Sequence, residues 1–221
     1  MDAGASGTGR ESRYWTLDPI DGTKGFLRGD QYAIALALIE QGKVVLSVLG
    51  LPNFQFGTSE GGILFYAIAG QGAYGRGIET ALQNQKPARI SADGLTDPAE
   101  ARFCESVESA HAAHEEHLKI SALLGIAKPP FRIDSQAKYA AVATGKASVY
   151  LRMPRSRDYR EKIWDHAAGL LVVEESGGRV TDFSGNPLDF TVGRQLKNNT
   201  GILVTNGCLH DRALKAIAEV V

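Results

Sequence analysis

Only two cysteines, Cys104 and Cys208, occur in 221 residues, too few for a disulfide framework and at no spacing that zinc would use. They read as two reduced, mostly buried thiols. No apolar run approaches the ~20 residues that a membrane-spanning helix needs, and Met1–Ser12 lacks the apolar stretch of a secretory signal. Neither charge sign dominates: 24 Lys and Arg stand against 25 Asp and Glu, which argues against broad nucleic-acid binding but leaves room for a local basic patch. There are no internal repeats, and no low-complexity segment beyond a small, polar lead-in over residues 1–13 that reads as flexible. With 43% apolar residues the chain is an ordinary globular one, long enough for one domain or two small ones.

The first half reads as strands. Tyr14 to Ile20 runs into a sharp Asp-Gly turn. Gln31 to Ile39 is almost wholly apolar, as expected of a strand covered on both faces. Glu40 to Lys43 reads as a four-residue hairpin loop leading into a strand over Lys43 to Leu51. Another strand, Ile63 to Ala69, is ended by the glycine-rich GQGAYGRG, which fits a turn. The second half alternates. Strand-like Phe103–Glu108, Arg132–Asp134, Ser148–Met153, Arg179–Asp182 and Ile202–Thr205 are interleaved with helices at His111–Leu124, Ser135–Thr144, Asp165–Glu175 and Asp211–Val221. A strand-rich half followed by an alternating half indicates a layered α/β protein, with a soft boundary near 90–103. The expected units are a metal-binding part at 14–100 and an α/β part at 101–221.

The chemistry concentrates at Leu17-Asp18-Pro19-Ile20-Asp21-Gly22-Thr23. Pro19 fixes its own φ and keeps Asp18 extended, while Gly22 permits a tight reversal. Such a kink can aim both carboxylates and the Ile20 carbonyl at one point, an all-oxygen donor set that suits a hard cation such as Mg²⁺. Gly22, Thr23 and Lys24 look like a helix or turn N-terminus with free N–H groups for an anion. Metal and anion sites side by side are what phosphoryl chemistry needs. The competing reading is that Asp-Pro and Asp-Gly are common turn dipeptides. Asp165, in Trp164-Asp165-His166-Ala167-Ala168-Gly169, is either a plain helix cap or a third carboxylate for the same cation, with small residues letting the helix end approach.

Together these motifs resemble those of the eukaryotic 3′(2′),5′-bisphosphate nucleotidases. These belong to the lithium-sensitive, Mg²⁺-dependent phosphatase superfamily that includes inositol monophosphatase. The pattern D-P-I/L-D-G-T followed later by W-D-x-A-A/G-G is present. Lys24-Gly25-Phe26-Leu27-Arg28-Gly29, Glu105-Ser106-Val107-Glu108 and Ser135-Gln136-Ala137-Lys138-Tyr139 resemble the nucleotidase branch. The resemblance covers nearly everything from Tyr14 onward. It implies a layered α-β-α-β sandwich of the inositol monophosphatase type. It implies that Asp18, Asp21, the Ile20 carbonyl and Asp165 bind Mg²⁺. Thr23, with Gly22 beside it, would orient or deprotonate the attacking water and touch the phosphate. His111, Ser135, Lys138 and Arg152 would contact the nucleotide, Lys138 and Arg152 by neutralising a second phosphate. Ser135 read alone is a helix cap. His111, His114 and His117, at steps of three, suggest zinc or, more simply, a solvated helix face. Arg152 opens a basic run with Arg155, Arg157, Arg160 and Lys162, interrupted by Asp158 and Glu161, which otherwise reads as a solvated loop.

The chain also departs from the family pattern. Family members carry a long segment before the first motif. It supplies helices that cover the sheet, a glutamate that bridges metals and an aspartate that works with the threonine. Here thirteen residues precede Tyr14, and Glu11 lies too close to the motif to be that glutamate. The sequence therefore predicts a family member lacking its N-terminal helices. Losing a general base typically costs ~10²–10⁴ in rate, so a weakened or inactive enzyme is expected, with self-association through an uncovered sheet face. The expected reaction is removal of the 3′-phosphate of 3′-phosphoadenosine 5′-phosphate or its 5′-phosphosulfate analogue. The alternatives are a catalytically inactive nucleotide-binding module and an inositol polyphosphate 1-phosphatase. The expected partners are the small nucleotide bisphosphate, with no nucleic acid and no membrane, in a cytoplasmic or organellar setting.

Overall fold

The computed structural model describes residues 12–57, 61–79, 86–107, 111–154, 156 and 158–221, apart from the side chains of 111–114. The expectations placed on residues 1–11, Glu108, Arg155, Arg157 and the side chains of His111 and His114 lie outside the described residues.

Six strands run as an antiparallel meander in the order β1 (Arg13–Asp21), β2 (Ala33–Glu40), β3 (Lys43–Leu51), β4 (Ile63–Ile68), β5 (Gly72–Gly77) and β6 (Ala88–Arg89). Burial alternates along β4 with the two-residue period of a strand that packs on one face. A second, mixed sheet has the order β10 (Arg179–Thr181), β11 (Ile202–Thr205), β9 (Val149–Arg152), β7 (Phe103–Glu105) and β8 (Phe131–Arg132). The chain changes sheet between Arg89 and Phe103.

Two helices fill the space between the sheets. All seven residues of α3 (Ala137–Ala143) are buried, as are the first seven of α4 (Ala167–Glu175), so neither helix has a solvent face. Their neighbours include Ala35, Ala37, Leu49 and Phe65 from the first sheet and Tyr150, Ile202 and Val204 from the second, in one apolar core. The other face of the second sheet, with Phe103, Val149, Leu151 and Leu203, is covered by α2 (His111–Leu124) and α5 (His210–Ala218). The layers therefore run α-β-α-β, as the resemblance implies.

The helices α3 and α4 cross where one residue has no side chain. A Cβ on Gly169 would lie 2.3 Å from the ring of Tyr139, so the ring packs directly on the α4 backbone. Gly169 thus serves the α3–α4 contact.

Several expectations need correction. The β2 strand is covered on one face at its start: Ala33, Ala35 and Ala37 are buried, but Ile34 is 43% exposed, beside Trp15 at 55% and Leu17 at 53%. These three lie on the outer face of the first sheet, so an apolar run did not require two covered faces. The β2–β3 reversal is a two-residue turn, because Glu40 pairs directly with Lys43 and Gln41 and Gly42 take φ of 51° and 74°. The segment Gly72–Gly77 is a strand, and the Phe65 ring leaves no room for a side chain at Gly75. Cys104 is buried, with burial pushing its thiol up to about 12, whereas Cys208 is exposed.

Gly169→Ala is expected to lose roughly 1–3 kcal/mol of stability, the range for overpacking a filled core. A urea melt of the variant against the parent chain checks it, and an unchanged midpoint would contradict the α3–α4 contact described here.

Candidate functional site

The site is built from an irregularity in an edge strand. In a regular strand residues three apart face opposite sides. Along β1 the register passes from Asp18↔Ala35 to Asp21↔Ala33, three steps against two, so one residue is bulged out between the two aspartates. The bulge turns both carboxylates to the side of the buried Ala33 and Ala35. Pro19 sits within it, where the missing N–H breaks no necessary ladder bond, and β1 is an edge strand, the place where a strand proline is tolerated. The Ile20 N–H donates to Asp18 Oδ1 at 3.1 Å. Gly22, at φ 85°, reverses the chain into the short helix α1 (Thr23–Arg28), and the Thr23 hydroxyl donates to the Ile20 carbonyl at 3.5 Å. A side chain at Gly22 would also meet Ser135 Cβ at 2.8 Å.

Asp165 arrives from the other half of the chain. It ends a 3-10 turn, Ile163–Asp165, and the following residue, His166, caps α4. Ligand atoms of Asp18, Asp21 and Asp165 all lie within 4.8 Å of one another. Gln136, 2% exposed, knits the three segments. Its backbone N–H donates to Asp21, its side-chain amide donates to the Trp164 carbonyl at 2.8 Å, and its amide oxygen accepts the Gly169 N–H at 2.9 Å. A second tie joins α1 to the loop before α3, where Arg28 pairs with both Asp30 and Asp134.

A cavity of about 360 Å³ opens beside these carboxylates, and Thr23, Ser135, Lys138, Arg152 and Asp165 line it. Lys138 is buried. Its ammonium donates to Ser106 Oγ at 3.2 Å and lies over the Tyr150 ring, 5.4 Å from the centroid. Ser135 takes the left-handed conformation, φ 64°, and its hydroxyl accepts the Ala137 N–H at 3.2 Å. It therefore stands one residue before the α3 cap, which is Gln136, and forms part of the cavity wall.

The electrostatics report the crowding. Burial, then Asp21, Glu161 and Asp18, push the Asp165 carboxyl up to about 7, against the pull of Arg152. Burial raises Asp21 to about 6 in spite of Lys138 and the Gln136 N–H, and burial also raises Asp18. Burial lowers Lys138. Three buried carboxylates crowded within 4.8 Å are the oxygen-donor chemistry that a hard divalent cation takes, so the residues present fit such an ion. A second acidic group, Glu161 with Asp165 and His166, is closed by bonds of its own: Glu161 is paired to Arg152 at 3.0 Å and to His166 at 3.2 Å.

The structure thus brings Asp18, Ile20, Asp21, Gly22, Thr23, Ser135, Lys138, Arg152 and Asp165 to one place. The side chain of His111 lies outside the described residues. His117 is 8% exposed and stacks on Phe103 near Glu105, so that helix position is not on a solvated face. Glu161, read as part of a solvated loop, is 5% exposed. Gln136 and Glu161 are two positions tied into the site to which the sequence reading gave no role. The available signal for Glu161 was an acid within a basic run just before the apolar Ile163 and Trp164. Gln136 carried no signal of its own.

The model of the inositol monophosphatase family matches residues 1–221. A 3′(2′),5′-bisphosphate nucleotidase of Oryza sativa is 51% identical over 231 residues, covering 100% of this chain and 63% of the relative. One from Schizosaccharomyces pombe is 45% identical over 227 residues with the same coverage. The chain thus spans about 63% of the length of these curated relatives. Among solved structures, Thermotoga maritima IMPase superposes with a TM-score of 0.71 at 27% identity, covering 94% of this chain and 69% of that one. The inositol monophosphatase from Anabaena has a TM-score of 0.69 at 22% identity, covering 96% and 74%.

The raised carboxyls set a sign for metal binding. At low pH, Asp165 and Asp21 hold protons that a cation must displace, so divalent-cation affinity is expected to fall as pH drops from 8 through 7 and 6, releasing protons on binding. Because their folded-state values are raised, these groups destabilise the metal-free fold as pH rises through that window. The thermal shift caused by Mg²⁺ should therefore be larger at pH 8 than at pH 5.5. Asp165→Asn should stabilise the metal-free chain at pH 8 and abolish most of that shift, as calorimetric melts with and without the ion will read.

Proposed function

The chain belongs to the inositol monophosphatase family, and on that premise we propose that it is a Mg²⁺-dependent phosphatase that removes the 3′-phosphate of 3′-phosphoadenosine 5′-phosphate and of its 5′-phosphosulfate analogue. The observation that carries this reading is the convergence of Asp18, Asp21 and Asp165 beside a cavity that also holds Thr23, Lys138 and Arg152. A cluster of hard oxygen donors next to two buried or half-buried cations matches a substrate with one phosphate to cleave and another to hold.

Asp18, Asp21, the Ile20 carbonyl and Asp165 would hold the cation. When bound, its chemistry is to polarise a phosphoryl oxygen and to lower the pKa of a water molecule. Thr23, poised at the Ile20 carbonyl, orients the attacking water and, with Gly22, contacts the phosphate. Asp165 lies beside the leaving 3′ oxygen. Lys138 and Arg152 neutralise the second phosphate, Ser135 donates to a phosphate or ribose oxygen, and His111 approaches the ribose or base. In this reading the two units, 14–100 and 101–221, meet at the site: the first supplies Asp18, Asp21 and Thr23, the second Ser135, Lys138, Arg152 and Asp165.

One observation favours a second reading, a nucleotide-binding module without turnover. Among the described residues no carboxylate accepts the Thr23 hydroxyl, whose bond goes to a backbone carbonyl. A hydroxyl needs a base to deprotonate water efficiently. The exposed Trp15, Leu17 and Ile34 support, in addition, self-association through the outer face of the first sheet.

Phosphate release from 3′-phosphoadenosine 5′-phosphate with Mg²⁺ is the expected outcome, and Thr23→Ala is expected to lower kcat by about 10²-fold. Binding of the same nucleotide by calorimetry without phosphate release supports the second reading, and neither binding nor release sinks both. Faster release from an inositol polyphosphate in the same panel would reassign the substrate. Sedimentation of the chain should be concentration-dependent, and Leu17→Lys should shift it towards the monomer.

A further inference from the structure

Behind the cavity wall lies a charged chain that the proposed chemistry does not use. Glu161 does not line the cavity, yet Arg152 and His166, on either side of it, both do. Its Oε1 accepts Arg152 Nε at 3.0 Å, and its Oε2 meets His166 Nε2 at 3.2 Å. The other ring nitrogen, His166 Nδ1, meets the Tyr139 hydroxyl at 2.6 Å. The Leu196 N–H donates to the Glu161 carbonyl at 2.9 Å, so the segment carrying the carboxylate is itself anchored.

The protonation of this chain follows from its surroundings. Burial alone would raise Glu161, but its bonds to His166 and Arg152 outweigh burial and hold it at about 2, so it is an anion at neutral pH. Burial lowers His166, and burial raises Tyr139 well above its ordinary value. An anionic carboxylate can only accept, so His166 Nε2 carries the proton of the 3.2 Å contact and Nδ1 faces the tyrosine O–H at 2.6 Å. Arg152, held at Nε, has no partner for its terminal nitrogens among the described residues, and it lines the cavity. A guanidinium fixed at one edge with its fork free is preorganised for a planar, two-point grip on a phosphate.

We propose that Glu161 is a positioning residue. It aims the Arg152 fork at the substrate's non-reacting phosphate, and its second oxygen fixes the His166 ring beside the same cavity. The substrate part of this rests on the phosphatase reading above, whereas the contacts stand on the geometry alone.

Glu161→Gln is the informative change. It keeps the shape but offers one acceptor where two donors, Arg152 Nε and His166 Nε2, now converge. The imidazole is expected to move its proton to Nδ1, seen as an exchange of the two ring ¹⁵N shifts in histidine-labelled protein, with faster exchange of the Arg152 Nε proton. The KM for adenosine 3′,5′-bisphosphate should rise about tenfold with kcat little changed, and the KM for adenosine 3′-monophosphate should barely move, because only the first carries a phosphate for the fork. In an Arg152→Ala background the same substitution should add nothing to the KM. Equal KM changes for the two nucleotides, or additive effects with Arg152→Ala, would overturn the proposal. If neither nucleotide is hydrolysed by the parent chain, the phosphatase reading fails, while the ¹⁵N spectrum still decides the positioning: an unmoved tautomer refutes it. Should the Gln variant melt before the assay temperature, Arg152→Lys keeps the charge and removes the fork, and the same selective rise in KM is required.

Discussion

The crowding of three buried carboxylates, Asp18, Asp21 and Asp165, is the constraint around which the rest is arranged. Three carboxylates within 4.8 Å, each raised by burial, would separate if the backbone allowed it. The backbone does not allow it. The two aspartates of β1 are turned to one side by a bulge, and Asp165 is carried on a turn leading into a helix locked between two sheets. Gln136 closes the arrangement with bonds to all three segments. The fold thus stores an unfavourable charge cluster, and a cation is the group that converts it into a stabilising one.

This explains why the middle layer is so apolar and so tightly fitted. A helix that must hold a charge against repulsion cannot slide. The first seven residues of α4 are buried, and Gly169 lets the Tyr139 ring rest on its backbone. Tyr139 then reaches His166 with its hydroxyl, so one aromatic side chain sets both the helix spacing and the histidine beside Asp165. Packing and electrostatics are coupled through that residue, and neither can be altered alone.

How much of this could be read from the residues depends on the range of the interaction. The strand Lys43–Leu51 and the helix His111–Leu124 follow from local pattern, and the structure has them at those limits. The Asp18–Asp21 turn is also local, since proline and glycine punctuate it. The errors lie where a local signal has two meanings. The glycines of Gly72–Gly77 read as a turn, but the segment is a strand in which Gly75 makes room for Phe65. The apolar run of β2 read as doubly covered, yet Ile34 faces outward. Glu161, flanked by basic residues, read as solvated, because nothing in the sequence nearby shows that Arg152 and His166 enclose it. Gln136 works through bonds to residues 28 and 115 positions away, beyond any windowed pattern. The convergence of Asp165 with the first motif was one of two readings open in the residues themselves, and the family resemblance chose it over a plain helix cap.

The division of labour between the two halves follows from the same geometry. The first half contributes acids and a hydroxyl on an edge strand, where a bulge is structurally cheap because one side of the strand has no partner among the described residues. The second half contributes the cations, and it holds them from behind. Lys138 lies over an aromatic ring and donates to a serine, while Arg152 is backed by a buried carboxylate. A bare cation in a half-buried wall would be expensive to desolvate and free to swing. Backed by Glu161, the guanidinium is neutralised at one edge and fixed in direction, and the free edge keeps its affinity for an anion. In the proposed reading, removing the backing would trade a directed contact for a mobile one, and the loss would fall on recognition of the second anion more than on the carboxylates proposed to hold the cation.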